Sequence, residues 1–161
     1  MATLKVKLPD ELMIKLERLA GQTGPIIEKT LEAGAEIVEQ RARANLKNSL
    51  GGDSSGQLLG ALGISPVLPN DKLDGYDIKI GFAEPRQDKK GGTTYKKKLK
   101  SGKTSEYQLT NAMVANILEY GRKDKSQTAK PFMKPAEDAT KAQAREKMKK
   151  VFAEEAQKIV K

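Results

Sequence analysis

Between Ile117 and Glu137 the chain reads ILEYGRKDKSQTAKPFMKPAE, and this stretch dictates a corner that any fold of the chain must contain. An apolar helical segment ends at Tyr120-Gly121. Glycine closes a helix there because it enters the left-handed region without a Cβ penalty. A polar, basic loop follows. Pro131-Phe132-Met133-Lys134-Pro135 then opens a second helix. Proline is tolerated in a first helical turn, where its missing N–H has no intrahelical partner anyway. Phe132 and Met133 give the new helix an apolar anchor. The pattern is that of an assembly element, with two helices pinned around a mobile loop, and it contains no catalytic arrangement.

The rest of the chain divides into readable segments. Residues 3–8, TLKVKL, alternate as a short strand does, and Pro9-Asp10-Glu11 starts a helix with acids in its first turn. Leu12, Leu16 and Leu19 share one face of it. Gly21 to Gly24 reads as a break. A long helix is predicted from Pro25 to about Leu50, with Ile27, Leu31, Gly34, Val38, Ala42 and Leu46 on a narrow stripe. Its small members, Gly34 and Ala42, call for close approach by another backbone. Glu28, Glu32, Glu36, Glu39, Arg43 and Lys47 occupy the opposite face.

Residues 51–56, GGDSSG, have the composition of a linker. A helical turn at Gln57–Ala61 and strands at Leu62–Leu68 and Tyr76–Phe82 follow, joined by a turn over Pro69–Gly75. From Glu84 to Tyr107 apolar residues nearly vanish, while Lys89, Lys90, Lys96, Lys97, Lys98, Lys100 and Lys103 accumulate. This is read as a protruding loop, mobile over 86–106, or a loose hairpin arm supported by Tyr95 and Leu99. A helix over Leu109–Tyr120 turns Met113, Val114, Ile117 and Leu118 inward. A final helix from about Lys134 to Val160 carries a stripe of Met148, Val151, Phe152, Ala156 and Ile159.

The fold class expected is therefore α+β. A small, mainly antiparallel sheet packs against the long helix and the C-terminal helix, with a long basic loop. The whole chain, 1–161, forms one domain: a strand–helix segment over 1–24 and a core over 25–161.

Two features carry a resemblance. The aromatic-Gly helix end, variable loop and Pro-Phe-Met-x-Pro-Ala helix start form the first. Arg41-Ala-Arg-Ala-Asn-Leu-Lys-Asn-Ser-Leu50, a small linker and Ser55-Gly-Gln-Leu-Leu-Gly-Ala-Leu62 form the second. Together, over residues 26–160, they resemble the tail-completion, or tail-to-head joining, family of long-tailed bacteriophages. The resemblance implies a virion structural protein at the head–tail interface, copied as a ring around the DNA channel and monomeric when free. Its implied partners are other connector and tail proteins. It implies no cofactor. The protein would be made in the host cytoplasm and end in the virion.

Composition agrees with a non-enzymatic role. The chain has no cysteine and no histidine, which removes disulfides, thiolate nucleophiles, the commonest zinc ligands and the commonest general base. Ser54 and Ser55 have no histidine partner. GGDSSG is not followed by the Gly-Lys-Ser/Thr of a phosphate-binding loop. The acidic pairs Asp10-Glu11 and Glu154-Glu155 have no third ligand spaced to complete a metal site. No run approaches the ~18 apolar residues of a membrane span, and MATLKVKLPDEL lacks the apolar core of a secretory signal.

Several sites keep two readings. With a net charge of +9 and pI near 9.6, the lysine stretch either contacts DNA phosphates non-specifically or is a solvated arm that orders against a protein neighbour. Tyr120, Phe132, Met133 and Lys134 either meet a partner subunit or, for the apolar three, pack helix ends into the core. A second family resemblance competes locally. TLKVKLPDELMIKLERLAGQTG followed by a helix resembles the ribbon-helix-helix DNA-binding regulators over residues 3–50, with Thr3, Lys5 and Lys7 at the outward strand positions. That reading leaves residues 51–161 unexplained and makes its second helix too long.

Overall fold

The computed structural model describes residues 21, 23–51, 56–70, 75–84, 86, 94–123 and 126–160. The strand and helix expected over 3–20 lie outside these residues, as does most of the 51–56 linker. The described chain is α+β. Helix α1 (Thr23–Ser49) is followed by a short helix α2 (Gln57–Ala61). Strands β1 (Leu62–Ile64), β2 (Leu68–Asn70), β3 (Gly75–Asp77) and β4 (Ile80–Phe82) come next. Strands β5 (Thr94–Lys98) and β6 (Thr104–Gln108) precede helices α3 (Asn111–Tyr120) and α4 (Met133–Val160).

Helix α1 is formed at Thr23, two residues before the expected start, and Gly21 is helical as well. Counted from Thr23, Pro25 is the third helical residue, within the turn whose N–H groups have no partner inside that helix. Gly24 lies beside Tyr76, whose hydroxyl would make an ordinary 3.7 Å contact with an added Cβ.

The two long helices, α1 and α4, pack along each other and form the body of the molecule. Their seam is built from small residues. Ala35 and Ala42 are buried on α1, and Ala136, Thr140 and Ala144 on α4. At Gly34 the approach is so close that an added Cβ would lie 2.6 Å from the Met148 sulfur. The space left by Gly34 is thus filled by the Met148 side chain, and the nearest α4 backbone atom, the Ala144 oxygen, would lie 3.8 Å from such a Cβ. Of the apolar stripe expected on α4, Met148, Val151, Ala156 and Ile159 are half-buried and Phe152 is 47% exposed, while the fully buried positions lie in the alanine-rich first half.

A core cluster sits where α1 ends. Ala42 and Leu46 of α1 meet Leu58 and Leu62 around the α2–β1 join, Ala115 of α3, and Phe132 and Ala136 at the start of α4. Phe82 and Phe132 close it with an edge-to-face contact, centroids 6.0 Å apart. Arg43, expected on the solvated face, instead clamps this corner. Its guanidinium donates to the Leu59 and Leu62 carbonyls at 2.8 and 2.6 Å and pairs with Glu39.

The β residues form three antiparallel pairs in place of one continuous sheet. Two belong to one long hairpin. Leu62 faces Phe82 and Ile64 faces Ile80, and beyond them Leu68 faces Asp77 and Asn70 faces Gly75. Between the two ladders three residues, 65–67, oppose two, 78–79, which is a bulge. Pro66 explains the interruption, since it has no N–H to donate. The Ser65 hydroxyl compensates by accepting the Lys79 N–H at 2.9 Å, while Ser65 N–H donates to the Lys79 carbonyl at 2.8 Å.

The third pair, β5–β6, lies within the segment read as a loop or arm. It is a regular hairpin: Thr94 faces Gln108, Lys96 faces Glu106 and Lys98 faces Thr104. Leu99 and Lys103 close a three-residue turn over Lys100, Ser101 and Gly102. Gly102 takes φ 81°, as the left-handed third position of such a turn requires. Leu99 lies just past the β5 ladder.

Candidate functional site

The corner from α3 to α4 is organised by one buried carboxylate. Helix α3 starts at Thr110, whose hydroxyl accepts the Met113 N–H at 3.1 Å, the usual N-cap geometry. Val114 and Leu118 pack on the core as expected. The fully buried residues of α3, however, are Asn111, Ala115 and Glu119, a stripe one helical step from the expected one. Asn111 is satisfied by the Ala83 carbonyl at 2.8 Å and the Arg86 guanidinium at 3.1 Å.

Glu119 is 6% exposed. Its Oε2 accepts the N–H groups of Phe132 at 2.7 Å and Met133 at 2.9 Å, and its Oε1 accepts that of Lys134 at 3.0 Å. These donors belong to the first turn of α4, which has no intrahelical acceptors for them. The carboxylate also faces the positive end of the helix dipole. The last helical turn of α3 thus caps α4.

The loop between the two helices is tied at its ends. Arg122 N–H donates to the Gln127 carbonyl at 2.9 Å, and Lys130 N–H to the Leu118 carbonyl at 2.7 Å. Gly121 adopts φ 73° with ψ −175°, a region essentially reserved for glycine, and not the αL cap expected there. A Cβ at Gly121 would lie 2.9 Å from the Gln127 oxygen.

The four residues singled out at this corner separate. Phe132 is 1% exposed and belongs to the core, so it is no surface contact. Met133 is half-buried against the same cluster. Tyr120 is 77% exposed. Lys134 is exposed and paired with Asp138 at 2.9 Å and Glu137 at 3.3 Å. Hydrogen bonding to Asp138, then to Glu137, holds its ammonium pKa above the ordinary lysine value.

Tyr120, Met133 and Lys134 line one open groove of about 250 Å³ together with Val38, Ile80, Glu119 and Glu137. A second groove of about 260 Å³ adjoins it through Val38 and Ile80 and runs on to Leu31 and Met148. The pair forms an apolar trough along the α1–α4 seam, ending at the exposed Tyr120.

The lysines of the basic segment are placed in part. Lys96 and Lys98 are exposed on β5, and Lys100 and Lys103 are exposed at the turn. Lys97 stands on β5 opposite Ser105. Lys89 and Lys90 lie outside the described residues. Among the described residues, no other helix or strand packs extensively on the β5–β6 hairpin.

Among the described residues, no cluster of acidic, histidine or cysteine side chains could hold a metal ion, and no helix is long and apolar enough to cross a membrane. Comparison with protein-family models, curated proteins and solved structures finds no match. The capping role of Glu119 and the clamp at Arg43 were not visible in the sequence. Both groups bond backbone atoms distant in the chain, which no local spacing encodes.

Proposed function

We propose that this protein is a bacteriophage virion structural protein, completing the tail or joining it to the head connector around the DNA channel. The observation that carries this reading is the α3–α4 corner. The stretch that resembles the tail-completion family is built as one braced unit. Glu119 fixes the angle between the helices, and Tyr120, the next residue, points outward beside an apolar trough. An exposed aromatic on a braced corner is a ready contact for a neighbouring subunit, since aromatic side chains dominate the energetics of interfaces. Further large apolar residues, Leu68, Tyr76 and Phe152, are also exposed in the single chain. A ring of copies would cover such surface by many modest contacts repeated by symmetry.

The work proposed is geometric and not catalytic. Copies bind neighbouring rings of connector and tail proteins, close the interface and let DNA pass. No cofactor takes part. Assembly would begin in the host cytoplasm and finish in the virion.

The ribbon-helix-helix alternative fits less well. Helix α1 runs unbroken for 27 residues, and its buried face is already engaged by α4 of the same chain. In the competing fold that face would belong to a dimer mate.

The experiment is deletion of the gene from the phage genome. Filled or fillable heads and finished tails that do not join are the expected products. Fully infectious particles, or a failure to form tails at all, would refute the role.

A further inference from the structure

We infer that the β5–β6 hairpin is a duplex-DNA-binding ribbon, gripping phosphates on either side of a groove without reading sequence. This goes beyond the joining role and does not depend on it. Four observations carry it.

The first is charge. Lys96, Lys98, Lys100 and Lys103 are all exposed, and among the described residues none is paired with a carboxylate. Glu106, the one acid between Thr94 and Thr110, stands opposite Lys96 in the ladder and accepts the Thr94 hydroxyl. It offsets Lys96 at most in part, and Lys98, Lys100 and Lys103 towards the tip have no acid opposite them.

The second is placement. Lys96 and Lys98 alternate with residue 97 and so share one face of the ribbon. Lys100 and Lys103 flank Gly102 at the tip. The positive charge lines a face and its end, as a surface inserted between two rows of phosphates would require.

The third is size. Five paired residues at ~3.4 Å each give a ribbon roughly 17 Å long, with strands about 4.8 Å apart. The major groove of B-form DNA is about 12 Å wide and admits a two-stranded ribbon. The fourth is freedom. The hairpin pairs with itself and, among the described residues, is not extensively covered by another helix or strand, so its tip can enter a groove without unpacking the described core.

The described side chains on this hairpin offer no array for base recognition. Lysine is a compact point charge suited to phosphates, and the hairpin's one amide side chain, Gln108, stands at the open end of the ladder opposite Thr94, away from the tip. The affinity should be electrostatic. Neutralising about four phosphates gives a slope of roughly −3.6 in log K against log salt, so binding should weaken about a hundredfold between about 50 and about 200 mM salt.

The test is fluorescence anisotropy with the full-length protein and a labelled duplex of random sequence, about 20 base pairs long, over that salt range. Three proteins are compared: the unaltered chain, an arm variant (Lys96→Gln, Lys98→Gln, Lys100→Gln, Lys103→Gln), and a control of equal net charge (Lys47→Gln, Lys130→Gln, Lys141→Gln, Lys147→Gln). Circular dichroism and melting temperature verify that all are folded. The arm variant is expected to lose more than about tenfold in affinity at low salt and most of its salt slope, with the control close to the unaltered chain. Equal losses in both variants would assign binding to diffuse surface charge and overturn the inference. So would the absence of duplex binding by the unaltered protein at low salt, which would leave the arm to an acidic protein partner. Neither result bears on the gene-deletion phenotype, so the two readings fail separately.

Discussion

Glu119 lies thirteen residues before Phe132, yet its carboxylate receives the Phe132 N–H at 2.7 Å, with Met133 and Lys134 completing the set. One side chain thereby satisfies three backbone donors at the start of α4. Hydrogen bonds to a charged group contribute about 1.5–3 kcal/mol each, and they act here as a group and not additively. Glu119→Ala should destabilise the fold by roughly 2–4 kcal/mol. Glu119→Gln, which keeps one acceptor oxygen but turns an amide N–H toward donors, should cost less, about 1–2 kcal/mol. Urea denaturation followed by circular dichroism measures both. A change below about 0.5 kcal/mol for the alanine variant would mean that water caps α4 equally well.

Gly121 provides a second, independent test of the same corner. Its φ of 73° combines with a Cβ position 2.9 Å from the Gln127 oxygen and 3.0 Å from the Ala129 nitrogen. Both neighbours are backbone, so neither can rotate away. Gly121→Ala should cost about 1–3 kcal/mol from strain and crowding together. The loss should appear in thermal melts, with the loop over 126–130 showing faster amide exchange. Unchanged exchange there would show that the loop is held by something other than this turn.

These residues also mark what the sequence made legible. The helical turn at Gln57–Ala61, the hairpin ending at Phe82 and the start of α4 could be read from periodicity, glycine and proline. The α3 face could be read only in part. Local pattern turns Asn111 and Glu119 outward because both are polar. They are buried because the Ala83 carbonyl and the first turn of α4 lie opposite them, and those partners arrive from distant segments. Helix α4 misled in part for the converse reason. Phe152 looks like core by composition but is 47% exposed, whereas the fully buried α4 positions include the small Ala136 and Ala144, and Met148 fits against Gly34. The hairpin bulge at Ser65–Val67 was implicit in Pro66, and only the register on both sides made it countable.

Lys29 and Glu155 link the first turns of α1 to the last turns of α4 at 2.7 Å, and Lys158 also bonds Glu155. Hydrogen bonding from Lys158, then from Lys29, lowers the Glu155 pKa below the ordinary glutamate value. A lowered carboxyl pKa adds stability at pH above the unfolded value, and that stability fades as the pH falls through the folded midpoint. The Glu155 side-chain carbon, followed by NMR, should therefore titrate at lower pH than a free glutamate. Lys158→Met should move its midpoint up by more than Lys29→Met does. Midpoints unmoved by either change would mean that both contacts are transient in solution. The effect on global stability should be small, since solvent and salt screen ion pairs at the surface.

Phe132 and Tyr120 separate folding from assembly. Phe132 is 1% exposed and packs edge-to-face on Phe82. Phe132→Ala should cost about 3–5 kcal/mol, enough to unfold a domain of this size, so its loss of function would say nothing about partners. Tyr120 is 77% exposed and can be cut back without opening the core. Tyr120→Ser should change stability by less than about 0.5 kcal/mol. If the α3–α4 corner meets a neighbouring subunit, the same substitution should reduce the yield of joined particles, because a central aromatic at an interface commonly contributes about 2 kcal/mol or more. Complementation of a deletion phage with each variant, scored by electron microscopy of heads, tails and joined particles, gives the readout. A folded Tyr120→Ser protein that restores joining fully would remove this corner from the interface and shift attention to Leu68, Tyr76, Tyr107 and Phe152, the other large apolar or aromatic residues exposed among the described ones.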